Sequence, residues 1–177
     1  MATLELINNT VVGAGGASSI TFGSIPGPYQ PLMIVASARS ARTSARYDGS
    51  TFRFNAESSG NKQSGIVIVN VGNGALSTAA ADANRVSYLF DMPAADAEAD
   101  TFGTAVCYVP NYAWGEYKTV ISTATATNHE FDTNDYENTI AAGAWADTSA
   151  VTSIYIAAGV TGFVEHSTFT LYGINSA

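Results

Sequence analysis

The chain has 177 residues, enough for one domain with a sizeable core, and it carries a net charge of −8 from seven Lys and Arg against fifteen Asp and Glu. This acidity opposes the binding of phosphate backbones, so we expect no nucleic-acid partner. No uncharged apolar run is long enough to span a membrane, and the first residues lack the basic start of a secretory signal, so we expect neither a membrane anchor nor a leader.

Charged residues make up only 12% of the chain, against roughly 25% in average globular proteins. Lysine occurs twice, at Lys62 and Lys118. Because Lys and Glu normally keep a free surface soluble and are depleted where proteins meet, this composition predicts that much of the exterior is covered by other protein. The alternative is a monomer with a surface rich in hydroxyl groups.

Short segments rich in Val, Ile, Thr, Phe and Tyr alternate with Gly, Pro, Asn and Ser along the chain, which is the pattern of strands joined by turns. The predicted strands are 3–8, 19–22, 32–39, 51–55, 66–71, 85–90, 103–109, 117–125, 139–145, 153–157 and 167–174. These predict an all-β, two-sheet antiparallel β-sandwich of about 8–11 strands with little or no helix. We assign residues 1–18 to an N-terminal arm or first strand, and residues 19–177 to a single β-sandwich domain.

The N-terminal segment is apolar at Leu4, Leu6 and Ile7, which suits a strand that docks on a partner by adding to the edge of its sheet. The glycines of 12–18 precede a predicted strand, not a helix, so they do not form a phosphate-binding turn. We therefore expect a docking role from this end of the chain and no nucleotide cofactor.

Three arginines, Arg39, Arg42 and Arg46, lie close together in the segment 38–48. Arginine pairs well with carboxylates and is favoured in interfaces, whereas the alternative is a solvated loop in which such pairs contribute little. Acidic residues cluster elsewhere, in 91–100 and in 130–137. We predict that the arginine segment meets an acidic segment of a neighbouring subunit or of a partner protein.

Two stretches, 77–84 and 93–100, are rich in alanine and contain no large apolar side chain that could dock a helix. The second also begins with a proline, which is permitted in the first turn of a helix. We predict that both stretches are exposed loops, with at most one helical turn.

The candidates for nucleophile or base chemistry are Cys107, His129 and His166, and none lies in a recognised catalytic motif. Cys107 falls within a predicted strand, where a small buried hydrophobe is its usual role, and a lone cysteine cannot form an internal disulfide. The carboxylates of 130–137 lack the glycine and the spacing of a calcium-binding loop. We therefore predict no enzymatic activity, no catalytic residue, no metal and no cofactor.

The segment 109–118 holds three aromatic rings next to the pair Pro110 and Asn111. Exposed rings can stack on sugar faces, but this pair favours a strand end and a turn whose rings fold back on the core. We favour the second interpretation for Tyr112. Trp114, together with Tyr47, remains a candidate for a ligand-facing ring.

Five blocks of the sequence carry a shared pattern: SITFGSIPGPYQPL (19–32), FRFN (52–55), VPNY (109–112) with YK (117–118), WADTSAVTSI (145–154) and STFTLYGI (167–174). Together they resemble small β-sandwich structural proteins of tailed bacteriophages, of the head decoration, cement or fibre type. The resemblance extends from residue 20 to residue 174. Trp114 and the segment 56–65 depart from its pattern.

This resemblance implies a jelly-roll-like sandwich that forms a homotrimer and binds the major capsid protein, as a decoration or cement protein of the virion that is assembled in the host cytoplasm. It also implies that the Pro-Asn-Tyr element is a corner of the sandwich, which argues that Tyr112 does not serve as a platform for sugar binding. The alternative is a tail or fibre protein that recognises host surface carbohydrate through loop aromatics such as Trp114 and Tyr47.

Overall fold

The computed structural model describes residues 1–58, 63–71, 76–79, 86–127 and 136–175, with side chains for all of these except 63–71, 76–79 and 86–88. Within these ranges every regular element is a β-strand. The twelve strands are β1 (Thr3–Val11), β2 (Ser19–Phe22), β3 (Pro31–Ala38), β4 (Tyr47–Phe54), β5 (Gln63–Val71), β6 (Leu76–Ala79), β7 (Val86–Pro93), β8 (Gly103–Pro110), β9 (Lys118–Thr127), β10 (Tyr136–Trp145), β11 (Ile154–Ala158) and β12 (Thr168–Asn175).

The strands form two antiparallel sheets. The large sheet has eight strands in the order β1-β12-β3-β8-β9-β10-β5-β6, and the small sheet has four in the order β2-β11-β4-β7. From β2 to β5 the chain alternates between the two sheets, which suits a jelly-roll-like sandwich. The predicted fold class, an all-β sandwich of two antiparallel sheets, is therefore confirmed.

Strand β6 was not predicted. The sequence analysis assigned 77–84 to an exposed loop, but Leu76–Ala79 pairs with β5, with Val67 opposite Ala79. The loop assignment is therefore wrong for residues 77–79, and residues 80–84 lie outside the described part of the chain. A strand this short depends on its neighbour, so composition alone does not reveal it.

The core lies between the inner faces of the two sheets. Strands β3, β8, β9 and β12 alternate between buried and more exposed residues, so that every second side chain points inward. Ile34 of the large sheet and Phe52 of the small sheet are fully buried there. Phe54 stacks on Trp145 with 5.6 Å between ring centroids, which joins the two sheets. Cys107 is buried in β8, as predicted.

The register of β3 with β8 distinguishes the two ends of the sandwich. Pro31 pairs with Pro110, and Ala38 pairs with Gly103. We call these the Pro110 end and the Gly103 end. Strand β10 finishes at the Pro110 end with Trp145, because Trp145 pairs with the first residue of β9.

The N-terminal segment forms β1, which pairs with β12 and is an edge strand of the large sheet. The register shifts between Leu6 and Asn8, so Ile7 forms a bulge. Leu4 and Leu6 are exposed, whereas Ile7 is partly buried against the core. In the described part of the chain no strand pairs with the outer side of β1, so its backbone groups are positioned to accept a further strand.

Gly173 in β12 lies directly beneath the ring of Tyr29, and a Cβ at position 173 would overlap that ring. We expect Gly173→Ala to lower the free energy of unfolding by roughly 1–3 kcal/mol, measured by denaturant unfolding, because the extra methyl group overpacks a closed site. Gly115→Ala is the matched control, since the space around Gly115 is open. In a chain that already carries Tyr29→Ala, the ring is absent, so adding Gly173→Ala should change the free energy of unfolding very little. If Gly173→Ala cost as much stability in that chain as in the native one, the account would be contradicted.

Candidate functional site

Arg39, the first of the three arginines proposed for an interface, lies inside the chain. Its Nη1 donates to the backbone carbonyls of Glu98 and Thr101 at 2.6 and 3.0 Å, and its Nη2 donates to that of Ala97 at 2.9 Å. The residue is buried, and burial lowers the pKa of its guanidinium. The interface role expected for Arg39 is therefore corrected: its donors are used within the chain, where they anchor the turn that precedes β8.

The arginine segment and the acidic segment 91–100 meet within one chain. The amide of Ala94 donates to the carbonyl of Arg46 at 2.7 Å, and the amide of Ala95 donates to that of Arg42 at 2.9 Å. The Arg42 guanidinium lies 3.3 Å from a carboxylate oxygen of Asp48 on β4. The basic segment and this acidic segment therefore contact each other within one subunit, largely through backbone groups, and a contact with a neighbouring subunit or a partner stays a prediction. The side chains of Arg42 and Arg46 are at the surface in part or in full.

The stretch 93–100 was predicted to be an exposed loop, and the structure corrects this in part. Asp96 and Glu98 are exposed, but the methyl groups of Ala94 and Ala97 are buried. The backbone here is hydrogen-bonded to the arginine segment, and small side chains such as alanine favour this close approach of two chain segments.

Two carboxylates, Asp48 and Asp91, are buried on the paired strands β4 and β7. Asp48 accepts a hydrogen bond from Ser40 Oγ at 2.7 Å, and Asp91 accepts one from Thr139 Oγ1, also at 2.7 Å. The second bond joins the small sheet to β10 of the large sheet. Burial raises the pKa of Asp91 to about 6, with the negative charge of Asp48 as a further cause, while the bond from Thr139 acts in the opposite direction.

Tyr112 forms a corner of the sandwich. Its ring is buried, and its hydroxyl donates to the backbone carbonyl of Pro26. Asn111 adopts a left-handed φ of 50°, a conformation that asparagine tolerates better than most residues. The prediction that this ring folds back on the core is confirmed, and Tyr112 is not available as a sugar platform.

Lys118 fixes the rest of this loop through hydrogen bonds to its backbone. Its buried ammonium donates to the carbonyl of Trp114 at 2.7 Å and to that of Glu116, and burial lowers its pKa. With its carbonyls fixed in this way, the loop turns two rings outward. Trp114 is 46% exposed and Tyr117 is 68% exposed.

The two ring candidates, Trp114 and Tyr47, lie at opposite ends of the sandwich. Trp114 is in the loop that follows Pro110. Tyr47 pairs with Pro93, whose side chain lies against Gly103. The structure therefore does not bring these two aromatic residues together, and Tyr47 is itself only partly exposed.

The outer face of the large sheet is the feature that the sequence analysis missed. Strand register and the alternation of burial define the outward positions in six of its strands, and none of these positions is Asp, Glu, Lys or Arg. We call it the charge-free face. Its residues are Leu4, Leu6, Asn9 and Val11 (β1); Thr168, Thr170, Tyr172 and Ile174 (β12); Pro31, Met33, Val35 and Ser37 (β3); Thr104, Val106, Tyr108 and Pro110 (β8); Thr119, Ile121, Thr123, Thr125 and Thr127 (β9); and Tyr136, Asn138, Ile140, Ala142 and Ala144 (β10).

An uninterrupted apolar row crosses this face. Directly paired residues, one from each of six strands, form it: Leu6, Tyr172, Met33, Tyr108, Ile121 and Ala142. We call this the apolar row. Leu6 is 58% exposed, Ile121 is 50% exposed and Tyr108 is 38% exposed. Nearer the Gly103 end the outward residues are mostly hydroxylated, as in the paired Ser37, Thr104 and Thr125.

A signal for this face was present in the sequence. In 118–127, KTVISTATAT, every second residue is Thr or Ile, and the residues between them, after the first, are small or apolar. In each predicted strand, one alternating set of residues faces the core and the other faces outward. In the six strands of the charge-free face the outward set carries no charge, and this pattern is visible in the sequence. The order of the strands, which joins these positions into one surface, follows only from the structure.

Among the described residues, the two candidates for nucleophile or base chemistry, Cys107 and His166, do not share a site, since Cys107 is buried in the core and His166 is exposed. Across the described ranges no group of three or more His, Cys, Asp or Glu side chains could hold a metal ion. Burial raises the pKa of the Cys107 thiol to about 12, and His166 is exposed in a turn. His129 and the acidic residues of 130–135 lie outside the described residues. Nor do the described residues include a helix that is long and apolar enough to cross a membrane.

No family model matches the chain, and no curated protein matches it in sequence. Among solved structures, a protein of unknown function from Shewanella oneidensis MR-1 aligns with 13% identity over 100% of this chain and 79% of its own, with a TM-score of 0.24. The SPRY domain of human HERC1 aligns with 11% identity over 90% of this chain and 96% of its own, with a TM-score of 0.22. A structure of infectious bursal disease virus, Gt strain, aligns with 11% identity over 98% of this chain and 40% of its own, with a TM-score of 0.12. These likenesses are too weak to carry an argument.

Arg39→Met keeps most of the apolar stem but leaves the carbonyls of Ala97, Glu98 and Thr101 without their donor. We expect a loss of roughly 2–4 kcal/mol in the free energy of unfolding, because several buried polar groups lose a charged partner at once. Arg46→Met, a change at an exposed side chain, is the control and should cost less than about 1 kcal/mol. If Arg39→Met instead altered the oligomeric mass and left unfolding unchanged, Arg39 would be an interface residue after all.

Asp91→Asn should change how stability depends on pH. Because the pKa of Asp91 is raised to about 6, the folded chain binds more protons than the unfolded chain between about pH 4 and pH 6, so this residue makes stability fall as pH rises through that window. Asparagine can still accept the bond from Thr139 but carries no charge. We expect the variant to gain roughly 2–3 kcal/mol over the native chain at pH 7.5 and almost nothing at pH 4, measured by urea unfolding.

Asp96→Asn, a change at an exposed side chain, serves as the control and should alter the free energy of unfolding by less than about 0.5 kcal/mol. An Asp91→Asn variant that is less stable than the native chain at pH 7.5, or that differs from it equally at both pH values, would contradict the assignment.

Proposed function

We propose that this chain is a non-enzymatic structural protein of a bacteriophage virion, which decorates the outer surface of the head and stabilises it by binding the major capsid protein and other copies of itself. The observation that carries the proposal is the charge-free face. The resemblance of the sequence blocks to phage decoration and fibre proteins supports the virion assignment.

The size of the charge-free face is the physical reason to expect that another protein binds it. Six strands about 4.8 Å apart and about eight residues long cover roughly 750 Å² of sheet. Part of this area is lined by threonine and part by aliphatic and aromatic side chains, and extended apolar surface that is exposed in this way marks sites of protein interaction. A surface of this extent, lined by threonine and aliphatic side chains, is stable when another protein covers it.

A decoration protein stabilises a shell by adding buried area across the junctions of capsid subunits. Each contact is modest, but the symmetry of the shell repeats it many times. The edge strand β1, with Leu4 and Leu6 exposed beside its open backbone groups, suits addition to a capsid strand. Ile7 is partly buried against the core and contributes to folding instead. Arg42 and Arg46 remain candidates for a polar contact with the capsid.

A second candidate is a tail or fibre protein that recognises carbohydrate. The observation in its favour is the loop at the Pro110 end, which presents both Trp114 and Tyr117 to solvent while Lys118 fixes its backbone. Aromatic rings held in this way can stack on the faces of sugars. Tyr47 does not take part in such a platform, because it lies at the other end of the sandwich.

Copy number separates the two candidates. We expect quantitative mass spectrometry of purified virions to find this chain at hundreds of copies per particle, and we expect particles stripped of it to lose their DNA at lower temperature. A handful of copies, with glycan binding that Trp114→Ala abolishes and Tyr136→Ala leaves intact, would establish the second candidate. The absence of the chain from particles would contradict both.

A further inference from the structure

We propose that the charge-free face is a self-association surface, on which the same face of a second copy of this chain packs, sheet against sheet, around a twofold axis. The proposal concerns the isolated chain, so it does not depend on the role in the virion. Three features carry it: the apolar row, the lack of charge at every described outward position, and the area of the face.

The apolar row is complementary to itself. Turning one copy by 180° about an axis along the row places each row residue opposite its own counterpart, so that Leu6 faces Leu6 and Tyr108 faces Tyr108. The rotation reverses the direction of each strand but keeps the strand axes of the two copies aligned, as aligned packing of stacked sheets requires. A twofold interface needs a patch that matches itself in this way. The tyrosines are of the residue type that is enriched in protein interfaces.

The distribution of charge favours a second copy over a charged partner. The chain has a net charge of −8, so two copies repel each other overall. None of that charge lies at a described outward position of the six strands, so close packing of the two faces does not bring carboxylates directly together. A basic partner would instead be attracted to acidic side chains on the contact surface, and the face offers it none at these positions.

The area fits a stable dimer. The roughly 750 Å² estimated from strand spacing is close to the ~800 Å² per partner of a standard interface. The row consists of aliphatic and aromatic side chains in line across a sheet and not around a concave pocket, which suits another sheet better than a small ligand. The face therefore suits another apolar sheet.

The first test is sedimentation equilibrium of the purified full chain over roughly a hundredfold range of concentration. We expect a dimer, and we expect Tyr108→Glu to weaken association at least ~100-fold, because it buries two carboxylates against each other. Thr123→Glu, a milder change at an exposed position of the same face, should act in the same direction if Tyr108→Glu impairs folding. Val160→Glu is the control, since Val160 is exposed in the turn between β11 and β12, away from the face.

The second test is chemical crosslinking of Ile121→Cys. The twofold arrangement places this cysteine opposite its own copy, across the ~10 Å that separates stacked sheets, so a short bis-maleimide should link two chains in high yield. Native Cys107 does not compete, because it is buried and its pKa is raised to about 12. The native chain and Val160→Cys are the matched controls, and neither should form linked dimers.

Several results would overturn the proposal. They are a monomeric native chain at every concentration, a dimer that both face variants leave intact, or a trimeric mass that persists in those variants. A monomer that binds capsids, and that loses this binding through Thr123→Glu, would assign the face to the capsid protein and would leave the proposed function standing. A chain that self-associates through this face but is absent from virions would support the self-association proposal and contradict the proposed function.

Discussion

The pleat of a β-strand forces successive side chains to opposite sides, so each strand of the large sheet presents half of its residues to the core and half to one outer face. The inner half is supplied by residues such as Ile34 and Leu171, which are fully buried. The outer half is supplied mainly by threonine and by aliphatic and aromatic side chains. Because the strands lie side by side, these outer halves merge into one broad surface. The low charge of the whole chain therefore follows in part from this surface, because so many of the residues form its uncharged outward positions.

Several of the few charged side chains are used inside the molecule. Arg39 and Lys118 are buried and donate to backbone carbonyls of loops, and Asp48 and Asp91 are buried and accept from hydroxyl groups. Buried charge is tolerated only when such partners satisfy it. This internal use fixes the loops at both ends of the sandwich and removes charge from the exterior.

The sequence predicted the class of the fold because strand signals are local. Alternation in 168–174 is typical of a strand with one buried face, and Phe169 and Leu171 are indeed buried. The Pro-Asn pair predicts a turn in which the Tyr112 ring folds back on the core, and that ring is buried as well. The role of Arg39 was missed because its partners are carbonyls about sixty residues away in the chain, a distance over which composition carries no information. Strand β6 was missed for a related reason, since it exists only through its pairing with β5.

The candidate surface could be predicted only in part. Low charge and scarce lysine indicated an exterior covered by protein, and that expectation led to the arginines and the N-terminal segment as contact residues. The actual concentration of uncharged outward positions depends on strand order, in which β12 lies between β1 and β3 although their sequences are far apart. Strand order is a property of the whole chain, and short motifs do not encode it.

The central claim is that protein contact covers the outer face of the large sheet. Hydroxyl-radical footprinting with mass spectrometry tests it most directly, because it reads the exposure of single side chains in the native chain. On raising the concentration from dilute to assembled conditions, Tyr108, Tyr172 and Met33 should become protected several-fold, while Tyr117, on its loop at the Pro110 end, should react at an unchanged rate. If the reactivity of Tyr108, Tyr172 and Met33 stayed unchanged at every concentration, and in the presence of particles, the account would be contradicted.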